Sequence, residues 1–142
     1  MRKMKDGKAT QVRIGYDGKV YKVFRGPKAR ERFENEVAIL RYLEKKGCPF
    51  VPRIIEVKED ELFMVTSNCG SIVDQISDEK LRSLFLELEQ YGVRHEDPFA
   101  RNVTYSAQLG RFCLIDFEFA TNLETGVGLT LEDVEGKKEE PK

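Results

Sequence analysis

Long apolar runs are missing from this chain. No stretch approaches the roughly twenty residues that a bilayer-spanning helix requires, and the charged start Met1-Arg2-Lys3-Met4-Lys5-Asp6 has no signal-type apolar region. Histidine occurs once and cysteine three times, at Cys48, Cys69 and Cys113, with no Cys-x-x-Cys pair. That supply argues against a zinc site and suits reduced thiols in a cytoplasm. Neither sign of charge is in excess: 24 Lys and Arg face 25 Asp and Glu, a formal net charge of -1. Nucleic acid and membrane are therefore not expected as partners. What remains is a cytoplasmic domain of 142 residues, long enough to bury a core.

Residues 1–6 carry no pattern and are expected to be flexible. From Gly7, Val12 and Ile14 alternate with polar neighbours, Asp17-Gly18 signals a tight turn, and Val20 to Phe24 favours strand, which together predict a β-hairpin. Side chains alternate along a strand, so Val20, Lys22 and Phe24 share a face; Lys22 either snorkels outward from an edge or points inward. Pro27 suits the first position of a helix that closes near Lys45-Lys46-Gly47. On that helix Phe33, Val37, Leu40 and Leu43 form an apolar stripe, Glu36 falls inside it and Glu34 on the polar side. A carboxylate aimed at a core is costly unless it meets a cation, and Lys22 is the natural partner; otherwise Glu36 sits at the margin and binds water.

Pro49-Phe50-Val51-Pro52 is a connector to two further strands, residues 53–57 and 61–65, joined by the turn Lys58-Glu59-Asp60. Thr66-Ser67-Asn68-Cys69-Gly70 is small, polar and irregular. Ser77-Asp78 opens a helix with Leu81, Leu84, Phe85, Leu88 and Tyr91 at helical spacing, ended by Gly92. Two short strands follow, residues 102–105 and 111–115, with a turn at 107–110. Beyond Asn122 the pattern weakens: Gly126-Val127-Gly128 alone means little, and residues 123–142 read as a weakly structured charged tail.

The chemistry concentrates in residues 93–118. His95-Glu96-Asp97-Pro98-Phe99-Ala100-Arg101-Asn102 has the form His-x-Asp-x-x-x-x-Asn, and Leu114-Ile115-Asp116-Phe117-Glu118 ends an apolar run on Asp-Phe. Phosphoryl transfer needs a carboxylate beside the attacking hydroxyl and oxygen ligands that hold magnesium against the phosphates. Asp97, Asn102 and Asp116 supply those groups in order, although an Asp after a strand is also an ordinary turn former.

With Lys22 and Glu36 upstream, the order resembles the protein-kinase-like superfamily over roughly residues 7–122. The Ile115-Asp116-Phe117-Glu118-Phe119-Ala120 ending is similar to that of choline-kinase and aminoglycoside-phosphotransferase-type enzymes, and the compactness to the small kinase of the tRNA-modifying KEOPS complex. The resemblance implies an α+β fold, a minimal kinase-like domain: a small antiparallel β lobe with one helix (7–65), a hinge (66–70) and a truncated helical lobe (71–122). It implies ATP and Mg2+ as cofactors. Asp97 would be the base, Lys22 braced by Glu36 would neutralise phosphate charge, Asn102 and Asp116 would hold magnesium, and His95 would be structural. The nucleotide would meet Gly7, Lys8, Thr10, Lys22, Met64, Thr66 and Asn68.

Four departures accompany the resemblance. No Gly-x-Gly-x-x-Gly precedes Lys22 and no Walker-type loop occurs, so a phosphate-covering turn must be Gly7-Lys8-Ala9-Thr10. Glu96 replaces the usual Arg before the catalytic Asp, which argues against regulation through a phosphorylated loop. Glu118 replaces the Gly of Asp-Phe-Gly. There is no Ala-Pro-Glu, and the sequence stops about where peptide-binding helices would begin, which leaves room for a partner protein to complete the substrate lobe. The expected function is an ATP/Mg-dependent phosphotransferase acting on a hydroxyl of a protein Ser/Thr or a small molecule. The alternative is a catalytically idle nucleotide-binding pseudokinase or adaptor module.

Overall fold

The chain folds back at Asp17-Gly18 because Gly18, at φ 80°, occupies the left-handed region that side chains resist. The resulting hairpin pairs β1 (Thr10–Ile14) with β2 (Val20–Phe24) antiparallel, Val12 opposite Lys22. The structure, a computed structural model, describes residues 10–136. The start expected to be flexible, and Gly7 and Lys8 of the expected phosphate-covering turn, lie outside the described residues.

Helix α1 (Ala29–Lys45) begins two residues later than Pro27 suggests. Gly26 at φ 83° and Lys28 at φ 51° make the entry turn, the Ala29 amide donates to the Gly26 carbonyl at 3.2 Å, and Pro27 stands just outside. Its end follows the sequence: Gly47 is left-handed, and the amides of Gly47 and Cys48 donate to the carbonyls of Glu44 and Leu43, both at 3.0 Å. Phe33, Val37, Leu40 and Leu43 are buried, each fully buried apolar side chain contributing about 1.5–3 kcal/mol. β3 (Ile54–Lys58) and β4 (Phe63–Thr66) are antiparallel and complete a four-stranded sheet in the order β1-β2-β4-β3.

The second half holds more strand than the expected helical lobe. β5 (Ser71–Ile72), β7 (Val103–Ser106) and β8 (Arg111–Leu114) form one antiparallel sheet, and β6 (Val93–His95) pairs with β9 (Ala120–Asn122). One long helix, α2 (Asp78–Gln90), packs here, its N-cap Ser77 accepting from the Lys80 amide. Residues 123–136 depart from the weakly structured tail that their charge suggests. Asn122 Oδ1 accepts from the amides of Glu124 and Thr125, Thr121 bridges to Gly128, and α3 (Leu131–Glu135) starts on a Thr130–Asp133 capping box. Local side-chain-to-backbone bonds order this segment, and charge counting misses them.

One apolar core runs through both halves, from Phe24 and Leu40 to Leu88, Val103 and Phe117. The Leu114 amide donates to the Phe50 carbonyl at 2.9 Å and ties them together. The described chain is a small mixed α+β domain of antiparallel sheets and three helices, and among the described residues no helix is long and apolar enough to cross a membrane.

Candidate active site

Lys22 faces the core because strand alternation puts it on the side of Val20 and Phe24, and Glu36 does so because it falls in the α1 stripe. They meet: Lys22 Nζ lies 2.5 Å from Glu36 Oε1 and 3.3 Å from Asp116 Oδ1. Burial alone would depress the Lys22 ammonium, but the carboxylates of Asp116, Glu36 and Glu118 outweigh it and hold the group above the ordinary lysine value. The other oxygen of Glu36 accepts from the Phe117 amide at 2.8 Å, so one carboxylate orients both the lysine and the backbone after Asp116. Asp116 itself sits at φ 67°, a left-handed conformation that short Asx side chains tolerate and that recurs at functional sites. Glu34 is exposed and pairs with Arg30 at 3.9 Å.

A second cluster is built within eight residues. The His95 ring accepts the Asp97 amide on Nδ1 at 3.0 Å, which leaves the Nε2 proton to donate to the Ile115 carbonyl, also at 3.0 Å. Phe85 and Phe117 pack against its ring at 5.3 and 4.9 Å between centroids. His95 thus joins the Asp97 loop to the Asp116 segment. The carboxylate of Asp97 accepts from Arg101 on Oδ1 and from Asn102 Nδ2 on Oδ2, at 2.5 and 2.8 Å. Asn102 Nδ2 also donates to the Asp97 carbonyl at 2.8 Å, which fixes which end of the amide faces Asp97. Its Oδ1 is then a buried acceptor without a hydrogen-bond partner among the described residues, a state that native proteins rarely leave unexplained.

A cleft of about 870 Å³ joins the Lys22, Glu36 and Asp116 side chains to Asp97 and Arg101, and neither Asn102 nor His95 is part of its lining. Thr10, Lys22, Glu36, Met64, Thr66, Asn68, Asp97, Arg101, Asp116 and Glu118 all line it. Gly70, at its edge, has φ 96°, and a Cβ there would stand 1.9 Å from the Tyr105 carbonyl oxygen. Asn68 Nδ2 donates to the Gly18 carbonyl at 3.1 Å, tying the irregular connector to the hairpin turn.

Three residues escaped the sequence reading. Arg32, 1% exposed, donates from Nη1 to Thr10 Oγ1 at 3.0 Å and faces Glu118 at 3.5 Å. A basic residue one turn before Glu36 on the same face was the available signal. Asn35 donates to the carbonyls of Glu118 and Ala120, both at 3.0 Å. Arg101 falls four residues after Asp97 and pairs with it. Glu118 is buried, and burial, then the adjacent Asp116 carboxylate, push its carboxyl up to about 7 against the pull of Lys22 and Arg32. Cys48, Cys69 and Cys113 are free and buried. No protein-family model matches the sequence, and no curated protein matches it either.

Proposed function

We propose that this chain is an ATP- and Mg2+-dependent phosphotransferase of kinase-like fold that moves the γ-phosphoryl group to a hydroxyl of a protein or small molecule. The observation that carries the reading is the buried Lys22, held by Glu36 and Asp116 in the same cleft as Asp97. Lys22 offsets phosphate charge in a site where burial strengthens every Coulomb interaction. Asp97 accepts the hydroxyl proton as the acceptor oxygen bonds to phosphorus and the β–γ bridge breaks. Arg101 and Asn102 hold the Asp97 carboxylate in place, and His95 fixes its loop to the Asp116 segment.

The donor set suits a hard cation: Asn102 Oδ1 is an unpartnered buried acceptor, Asp116 a carboxylate, and both are oxygen ligands. Asn102 and Asp116 would hold magnesium, which when bound neutralises and orients the phosphate oxygens. Thr10, Met64, Thr66 and Asn68 line the same cleft and would contact the nucleotide.

One observation favours an idle nucleotide-binding module instead: both oxygens of Asp97 are already engaged. Incubation with γ-labelled ATP, Mg2+ and generic hydroxyl acceptors separates the two. Label transfer that Asp97→Asn abolishes supports the phosphotransferase, ATP binding without transfer to any acceptor supports the idle module, and absence of binding overturns both.

A further inference from the structure

The segment from Asp116 to Ala120 is tied to α1 by more bonds than orientation of Lys22 requires. α1 turns two charged side chains inward one turn apart, Arg32 and Glu36, at 1% and 2% exposure. Glu36 takes the Phe117 amide at 2.8 Å, and Arg32 Nη1 reaches Glu118 Oε1 at 3.5 Å. Between them Asn35 bonds the Glu118 and Ala120 carbonyls. Arg32 is anchored in turn on the carbonyls of Pro27 and Arg25 and on the Thr10 hydroxyl. A helix held at one point can pivot. Held at two points a turn apart, it cannot move without leaving a buried guanidinium or carboxyl short of a partner.

We propose that Arg32 and Glu118 are a positioning pair that keeps α1 docked on the Asp116–Ala120 segment and so holds Glu36, and through it Lys22, in the assembled arrangement without any modification of the chain. Its consequence for catalysis rests on the phosphotransferase reading. The pair substitutes a bond built into the sequence for a switch: docking of α1 is a permanent property of the fold.

A competing role for Glu118 is metal ligation, since one oxygen from each of Glu36, Asp116 and Glu118 lies within 4.8 Å of the others. The bonds argue otherwise. Glu118 Oε1 faces Arg32, Oε2 faces the Thr10 hydroxyl at 3.5 Å, and both oxygens of Glu36 are taken by Lys22 and Phe117. An ion drawing these carboxylates together would pull Glu118 away from the buried Arg32 guanidinium and the Thr10 hydroxyl.

The test compares Arg32→Met, Arg32→Lys, Glu118→Ala and the Arg32→Met/Glu118→Ala double variant with the exposed control Glu34→Gln. Hydrogen exchange at the Phe117 amide reads the docking of α1, and kcat, KM for Mg-ATP and the Mg2+ concentration for half-maximal rate read its consequence. Arg32→Met and Glu118→Ala should each speed Phe117 exchange by about tenfold or more, and the double variant should be no worse than the worse single, as for partners in one network. Arg32→Lys, which keeps the charge on a slightly shorter side chain, should restore part of the protection and carries the test if Arg32→Met does not fold. The kcat should fall in step with lost protection while the Mg2+ requirement stays put. Unchanged Phe117 exchange, additive losses in the double variant, or a raised Mg2+ requirement in Glu118→Ala alone would each overturn the pair. The exchange arm holds even if the chain transfers no phosphate, so failure of the pair and failure of the phosphotransferase reading are separate results.

Discussion

The two charged clusters in the cleft are built by opposite means. The Lys22 cluster is assembled from residues up to 108 positions apart, Thr10 to Glu118; of its five charged members Lys22, Arg32, Glu36 and Glu118 are under 10% exposed, and the Asp116 side chain is 12% exposed. The Asp97 cluster is local: Asp97, Arg101 and Asn102 fall within six positions, and the Arg101 side chain is 55% exposed. The first is closed, with each carboxylate oxygen of Glu36 and Glu118 facing a donor; the second keeps an unpartnered acceptor on Asn102 and a half-exposed guanidinium. A rigid, desolvated cluster suits the fixed phosphates of a bound nucleotide, whereas a locally built, wetter one suits an acceptor that arrives and leaves.

On that division, damage to the open cluster should be chemical and damage to the closed one structural as well. The largest expected effect is on rate. Asp97→Asn should slow transfer by about a hundredfold or more while Mg-ATP affinity, measured by calorimetry, is nearly kept; parent-like activity would remove Asp97 from the chemistry. Next, Glu36→Gln should cost about 3 kcal/mol in urea unfolding, the low end for breaking a buried pair, because Asp116 still faces Lys22. A change near zero would show the closed cluster to be wetter than its burial indicates. Gly70→Ala, in the connector rather than in either cluster, should destabilise by about 2 kcal/mol, since its Cβ meets the Tyr105 carbonyl and its φ is 96°. Last, Glu34→Gln should stay within about 0.5 kcal/mol, as an exposed pair on the outer face of the same helix.

Legibility followed the same division. In the Asp97 loop the His-x-Asp-x-x-x-x-Asn spacing pointed to Asp97 and Asn102, whose bonds join near neighbours, but not to Arg101, which pairs with Asp97 four residues on. The Lys22–Glu36 contact was also legible, since strand alternation and helix periodicity each aim one charge inward and two stranded charges must meet. Arg32–Glu118 was not: Arg32 looks like any helix-surface cation until the burial of its face is known, and Glu118 shows in sequence only as a misplaced acid. The strands β6 and β9 were missed because three-residue strands carry too little alternation to detect. The order in residues 123–136 was missed because it depends on Asx-type and capping bonds rather than on apolar pattern.

Thermal unfolding tests most directly the proposal that the closed cluster receives the phosphates of Mg-ATP. A ligand that binds only the native state raises the melting temperature by mass action. At about a hundred times its Kd, Mg-ATP should raise the Tm by about 5 °C or more, and Lys22→Met, once folded, should lose most of that rise. A parent Tm that Mg-ATP leaves unchanged, or a rise that survives Lys22→Met intact, would contradict it.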